Sequence, residues 1–102
     1  MKRPVKLLMD WNIKPGHEEE YFDFVSRDFI AIFLRAGFHL TDAWYTLYGN
    51  WPQMRVGFMA DDLVLLETFL ISETWLTLKG ELFDYIEDYH QKVVPAKGGF
   101  QL

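Results

Sequence analysis

Cysteine is absent from all 102 residues. Disulfide bonds, thiolate nucleophiles and thiolate metal sites are therefore excluded. The sequence also lacks an excess of basic residues, since 10 Lys and Arg stand against 15 Asp and Glu, for a net charge of −5. Nucleic acids and anionic lipid surfaces are bound by clustered Lys and Arg, so we expect neither a nucleic-acid nor a membrane partner.

Long hydrophobic runs are also lacking. No apolar stretch reaches the length that spans a bilayer, and the start at Met1-Lys2-Arg3 leads into Pro4 rather than into the apolar core of a signal peptide. We therefore expect a cytoplasmic protein. The length predicts one domain over residues 1–102.

Aromatic residues, in contrast, are abundant. Nine Phe, five Tyr and four Trp make up 18% of the chain. A domain of this size has a high surface-to-volume ratio and cannot easily bury so much aromatic surface alone. The composition favours a ligand pocket, a subunit interface, or both.

Residues 5–13 show the alternation of a β-strand. Five apolar side chains at every second position form one face: Val5, Leu7, Met9, Trp11 and Ile13. The other face mixes Leu8 with Asp10 and Asn12, which is typical of a polar interface or a cavity wall.

A helix is predicted after the Pro15-Gly16 break, with Glu18, Glu19 and Glu20 in its first turn, where carboxylates oppose the helix dipole. Helical spacing relates six apolar residues, and Gly37 is a suitable terminator. The predicted buried stripe is Phe22, Val25, Phe29, Ile32, Phe33 and Ala36.

The second half predicts a hairpin, a split helix and a last strand. Strands over 38–48 and 53–60 flank a turn at 49–52. Helix 63–71 is followed by Ser72 as the N-cap of a second helix, and the pattern changes to a strand near Tyr85. The order β-α-β-β-α-β predicts an α+β, ferredoxin-like sandwich, with a four-stranded antiparallel sheet and helices on one face.

The turn at Ile13-Lys14-Pro15-Gly16-His17-Glu18-Glu19-Glu20 and the helix break at Phe69-Leu70-Ile71-Ser72-Glu73-Thr74-Trp75 resemble those of the dimeric α+β barrel superfamily. The resemblance spans nearly the whole chain, and the most similar group is the antibiotic-biosynthesis-monooxygenase-like proteins and their uncharacterised bacterial relatives. It implies a homodimer in which two sheets pack face to face, and a ligand cleft between each sheet and its helices.

The chemistry of that superfamily is diverse, so the resemblance does not select an activity. It includes cofactor-free oxygenation, lactone isomerisation, haem degradation and effector binding. The positions that the haem-degrading branch uses hold Met9, Phe69 and Lys79 in this chain. All three differ from the residues of that branch, which disfavours haem degradation.

Candidate ligand-binding residues are Trp11, Trp44, Arg55, Trp75 and Tyr85. Trp and Tyr offer flat apolar area with a polar edge, which suits a planar ligand, and Arg binds carboxylates through its planar fork. Core and dimer packing is the alternative for the aromatic residues. For Arg55 the alternative is a cross-strand pair with Asp10 or Asp42.

Candidate catalytic residues are His39, as a general base in the cleft, and Tyr45, predicted to share its strand face. Histidine is the side chain whose usual pKa suits acid–base catalysis near neutral pH. No histidine pair has metal-ligand spacing, so neither a metal nor another cofactor is expected.

Three functions stay open. The first is a homodimeric small-molecule-binding protein with an aromatic-lined cleft for a small hydrophobic or planar ligand. The second is a cofactor-independent monooxygenase or isomerase acting on an aromatic or polyketide-like substrate. The third is a structural or regulatory dimer without a ligand.

Overall fold

The computed structural model describes residues 2–46, 49 and 52–96. Its strands are β1 (Val5–Ile13), β2 (His39–Tyr45), β3 (Met54–Ala60) and β4 (Ile86–Pro95). Its helices are α1 (Glu18–Phe24), α2 (Ile30–Arg35), α3 (Leu63–Leu70) and α4 (Glu73–Phe83), with a π-helical segment, Val25–Phe29, between α1 and α2. The strands form one antiparallel sheet in the order β2-β3-β1-β4. The predicted ferredoxin-like α+β fold is confirmed.

The sheet has an inner face under the helices and an outer face on the opposite side. Along β1, buried and half-buried residues alternate without a break. The predicted apolar residues point inward, with Leu7, Met9 and Trp11 fully buried. Helix α2 packs on β3 through two stacked rings. The centroids of Phe33 and Phe58 lie 4.1 Å apart, and the ring planes are inclined by 7°. The core therefore lies on the inner side of the sheet.

The first helix differs from its predicted stripe at its N-terminal end. Phe22 is 43% exposed, whereas Tyr21 and Phe24 are buried. The π-helical segment explains the difference, because a π turn adds one residue and rotates the preceding turns relative to a regular 3.6-residue period. The period correctly predicts the burial of Phe29, the last residue of the segment, and of Phe33, which follows it in α2.

Two predicted helix boundaries are confirmed, the helix end at Gly37 and the N-cap at Ser72. Gly37 has a φ of +100°, and the N–H groups of Gly37 and Phe38 donate to the carbonyls of Leu34 and Phe33 at 3.1 Å each. This is the left-handed termination that glycine allows. Ser72 Oγ accepts a hydrogen bond from the Trp75 N–H at 3.2 Å, which caps α4 after the break.

The hairpin is confirmed as an antiparallel pair with narrower bounds than predicted. Strand β2 covers His39–Tyr45 and β3 begins at Met54 rather than at Gln53. The predicted end of the second strand at Tyr48 and two of the four residues of the turn at 49–52 lie outside the described residues. A β-bulge interrupts the pairing, since Leu40 faces Phe58 while Asp42 faces Gly57.

Candidate functional site

The bulge determines which residues of β2 share a face. Directly opposed residues of an antiparallel pair lie on the same side of a sheet. His39, Asp42 and Trp44 oppose the outward residues Met59, Gly57 and Arg55, whereas Tyr45 opposes the buried Met54. His39 and Tyr45 therefore lie on opposite faces. The predicted shared face is wrong, because one extra residue at a bulge inverts the alternation that follows it.

Two ion pairs link strands across the outer face. Arg55 Nη2 lies 3.1 Å from Asp10 Oδ2, between the neighbouring strands β3 and β1. Lys6 Nζ lies 3.3 Å from Asp42 Oδ2, and this pair joins β1 to β2 across the intervening β3. The first contact is the cross-strand alternative predicted for Arg55, and it uses Asp10 rather than Asp42.

Gly57 makes the longer pair possible. This residue of β3 faces Leu8 on one side and Asp42 on the other. A Cβ at Gly57 would lie 2.5 Å from Asp42 Oδ2 and 2.9 Å from Leu8 Cδ2. The absence of a side chain therefore leaves the space over β3 in which the carboxylate of Asp42 approaches Lys6.

An open cavity of about 400 Å³ adjoins this pair on the outer face. Its lining combines an exposed indole, a leucine and charged groups of both signs. The lining residues are Lys6, Leu8, Asp42, Trp44, Thr46, Pro52 and Arg55. Cavities for small organic ligands begin at about 300 Å³ and combine apolar walls with a few polar groups. Size and composition therefore fit a small ligand.

Of the five predicted ligand residues, the structure brings Trp44 and Arg55 together here. They oppose each other across β2 and β3, and both line the cavity. Trp44 is 65% exposed, the largest value of any described Trp. Lys6 and Asp42 were not predicted as site residues, although the mixed polar face of β1 indicated a cavity wall on this side.

Trp11 and Trp75 lie in the core, at 0% and 2% exposure. Trp11 Nε1 donates to the hydroxyl of Tyr21 at 2.9 Å, and its ring stacks on Tyr89 at 6.0 Å. Trp75 packs edge-on against Phe33 at 5.6 Å. The cleft that we expected around these two tryptophans is occupied by core side chains, so a ligand could reach them only by displacing packed rings.

The other predicted site residues are separated from the cavity lining. His39 Nε2, at the start of β2, lies 3.8 Å from Oδ1 of Asp61, which follows β3. The Tyr45 ring packs edge-on against Phe22 at 5.8 Å on the helical side. Tyr85 lies between α4 and β4, with its ring 5.6 Å from Phe24. None of these three residues lines the cavity beside Trp44 and Arg55.

Two tyrosines have perturbed ionisation. Burial raises the pKa of the Tyr21 hydroxyl well above its usual value, and the hydrogen bond from Trp11 offsets only part of this effect. Burial also raises the pKa of Tyr89, and the charge of Asp10 adds to the effect. Both hydroxyls stay protonated near neutral pH, so neither supplies a phenolate base.

Within residues 2–46, 49 and 52–96, no three His, Asp or Glu side chains are grouped as metal ligands. None of the helices described is both long enough and apolar enough to cross a membrane.

Solved structures share this fold. A NIPSNAP family protein from Agrobacterium tumefaciens strain C58 is 18% identical, with a TM-score of 0.69 over 95% of this chain and 89% of that chain. An uncharacterized NIPSNAP-like domain protein from Burkholderia xenovorans is 16% identical, with a TM-score of 0.67 over 95% of this chain and 88% of that one. A dimeric protein of unknown function and ferredoxin-like fold from Bacteroides fragilis is 11% identical, with a TM-score of 0.62 over 91% and 96%.

Identities of 11% to 18% show a likeness of fold alone. No protein-family model matches the sequence, and no curated protein matches it significantly. The predicted ferredoxin-like class is thus shared with these proteins. The finer resemblance to antibiotic-biosynthesis monooxygenases finds no support among the structures named here.

Proposed function

We propose that this protein is a homodimeric small-molecule-binding protein, and that its ligand lies in the outer-face cavity beside Trp44 and Arg55. The observation that carries the proposal is the convergence of these two predicted ligand residues on one cavity of about 400 Å³. An exposed indole beside a leucine offers a planar ligand a flat apolar surface.

The outer face also suits a second copy of the chain. Among the described residues, the helices pack on the inner face of the sheet. Leu8, Met59 and Val94 lie on the outer face, and each has part of its surface accessible. The neighbour from Bacteroides fragilis is a dimer with a ferredoxin-like fold. A second copy placed over the outer face would cover these apolar groups and enclose the cavity.

This position differs from the sheet-to-helix cleft that the superfamily resemblance implies. The inner side is filled by aromatic residues such as Trp11, Phe33 and Trp75. The cavity lies on the outer side, so its ligand would contact the dimer interface. The catalytic alternative loses its predicted pair, since His39 and Tyr45 lie on opposite faces of the sheet.

A direct test uses 2-naphthamide, a neutral planar molecule, and isothermal titration calorimetry. We expect binding to the native protein and a loss of about fivefold or more in affinity for Trp44→Ala, since removing a stacking surface costs on the order of 1 kcal/mol or more. Leu76→Ala is the control, because Leu76 is likewise exposed, at 59%, but belongs to α4. Equal affinity in Trp44→Ala and the native protein would exclude the site.

A further inference from the structure

The outer-face cavity carries positive charge on an acidic protein. Lys6 and Arg55 line it together with one carboxylate, Asp42, although the chain as a whole has a net charge of −5. A second, smaller cavity of about 190 Å³ shares Arg55 with the first and adds Asp10 and Lys92 as charged groups, so three cationic side chains and two carboxylates line the two cavities. Local charge and overall charge therefore have opposite signs.

From this geometry we infer that the ligand is a planar aromatic molecule bearing a carboxylate, with its ring against Trp44 and its carboxylate between Lys6 and Arg55. The inference deepens the proposed function and rests on it.

Arg55 has donors to spare for such a ligand. A guanidinium carries five N–H donors, and among the described residues the contact of Arg55 is from Nη2 to Asp10. Its side chain is 44% exposed, and it borders both cavities. A ligand carboxylate can therefore accept hydrogen bonds from Arg55 while Asp10 keeps its own.

Lys6 is held near the cavity by Asp42. The Lys6 side chain is 31% exposed and that of Asp42 is 21% exposed. Asp42 Oδ2 also accepts a hydrogen bond from Thr41 Oγ1 at 3.1 Å. This pairing orients the ammonium at the cavity wall, and a lysine ammonium has three donors, so it can contact a second carboxylate without leaving the first.

Trp44 and Arg55 are neighbours, so one ligand can place its ring against the indole and its carboxylate against the guanidinium. They are directly opposed across β2 and β3, and opposed side chains on one face have Cβ atoms roughly 5 Å apart. A carboxylate attached to an aromatic ring spans a similar distance between its ring and its oxygens. A neutral amide of the same shape can stack on the indole equally well, but its carbonyl offers Arg55 and Lys6 only a neutral acceptor, which forms weaker hydrogen bonds than a carboxylate.

The test compares 2-naphthoate with 2-naphthamide, which has nearly the same shape and no charge. By calorimetry on the full chain, we expect 2-naphthoate to bind about tenfold more tightly, since hydrogen bonds to charged groups contribute more than neutral ones. The advantage should decrease as the salt concentration rises, because salt screens charges at partly exposed sites.

Two variants locate the charge effect. Arg55→Gln and Lys6→Met should each reduce the affinity for 2-naphthoate by about tenfold and leave that for 2-naphthamide nearly unchanged. Arg27→Gln is the matched control, because Arg27 is also paired with aspartate, at 2.7 Å from Asp23 Oδ2, but belongs to the helical layer. Circular dichroism confirms that each variant is folded.

The outcomes separate this inference from the proposed function. Equal affinities of the native protein for the two compounds, both lost in Trp44→Ala, would overturn the anionic ligand and keep the binding site. Failure of both compounds to bind would overturn both proposals. An advantage for 2-naphthoate that persists in Arg55→Gln and in Lys6→Met would place the anion elsewhere and also overturn the inference.

Discussion

Gly57 lies at the centre of the outer face, where the carboxylate of Asp42 and the methyl group of Leu8 come within 3 Å of the position that a Cβ would take. Any side chain here would displace Asp42 and separate it from Lys6. A single glycine thus permits an ion pair between strands that are not neighbours in the sheet.

Replacing Gly57 with Ala should lower the free energy of unfolding by about 1 kcal/mol or less, because the added methyl moves the Asp42 carboxylate away from Lys6, while the ends of the Asp42 and Leu8 side chains can turn aside. Urea denaturation measures the change. Gly80→Ala is the matched control, since a Cβ at Gly80 meets nothing within 4 Å and alanine in a helix should stabilise by about 1 kcal/mol. A stabilised Gly57→Ala protein would contradict the close approach.

The raised pKa values of Tyr21 and Tyr89 predict that the folded protein becomes less stable at alkaline pH. Their pKa values are raised in the folded protein, whereas a tyrosine in the unfolded chain ionises at about pH 10. Below that pH both states keep the protons. Above it the unfolded chain releases them while the folded protein retains them, so stability falls as pH rises.

A spectrophotometric titration tests this expectation. Free tyrosine ionises at about pH 10. Of the five tyrosines, Tyr21 and Tyr89 should ionise in the native protein only well above that pH, or when the protein unfolds. If all tyrosines ionised at about pH 10 while the protein stayed folded, Tyr21 and Tyr89 would be accessible to water, which would contradict their raised pKa values.

At the scale of single residues, sequence pattern predicts burial better than it predicts sites. The alternation along β1 placed Trp11 on the inner face correctly, but it could not show that surrounding rings would fill the space beside it. Trp44 and Arg55 were named as ligand residues, whereas Lys6 and Asp42 were not. Their pairing depends on Gly57 lying between their strands, which only the register reveals.

At the scale of the secondary-structure elements, the largest departure from the sequence pattern is the π-helical segment Val25–Phe29. A 3.6-residue period cannot represent one additional residue in a turn, and for this reason Phe22 was predicted to be buried in place of Tyr21. The bulge in β2 is the equivalent irregularity for a period of two. Caps and breaks at Gly37 and Ser72 were predictable because they depend on local chemistry.

Deleting Ser26 tests the origin of the π segment. Ser26 is exposed and its hydroxyl bonds the helix backbone at Phe22, so its removal should convert the segment to a regular helix with Tyr21, Phe29 and Phe33 still buried. We expect a thermal unfolding midpoint close to that of the native protein, corresponding to a change of about 1 kcal/mol or less.

Deletion of Ala31 is the control. It shortens the helix by the same one residue but lies in α2, after the π segment. Phe29 and Phe33 would then be three residues apart instead of four, which turns one ring by about 100° from its native packing position, at a cost of about 1 to 3 kcal/mol. Equal destabilisation by the two deletions would show that the π segment is not a one-residue insertion in an otherwise regular helix.

At the scale of the whole molecule, the two faces of the sheet have different roles. The inner face holds the aromatic core, and the outer face holds paired charges, an exposed indole and a cavity. The β-α-β-β-α-β order was sufficient to predict this two-layer arrangement. It was not sufficient to predict on which side of the sheet a ligand could lie, because both faces of β1 contain apolar residues.

The proposed homodimer predicts that a charge at the centre of the outer face prevents association. Leu8→Lys should shift the protein from dimer to monomer in sedimentation velocity experiments, because a second copy would bury the new ammonium beside Arg55 and Lys92, which have the same charge. Leu76→Lys is the control, with its substitution on the helical side. A native protein that sediments as a monomer would contradict the dimer directly.

The most direct measurement is a crystal structure of the protein with 2-naphthoate. We expect the naphthalene ring against Trp44, the carboxylate within hydrogen-bond distance of Arg55 or Lys6, and a second copy over the outer face. A ligand found between the sheet and the helices beside Trp11, with the outer cavity empty, would contradict the assignment of the functional site to the outer face.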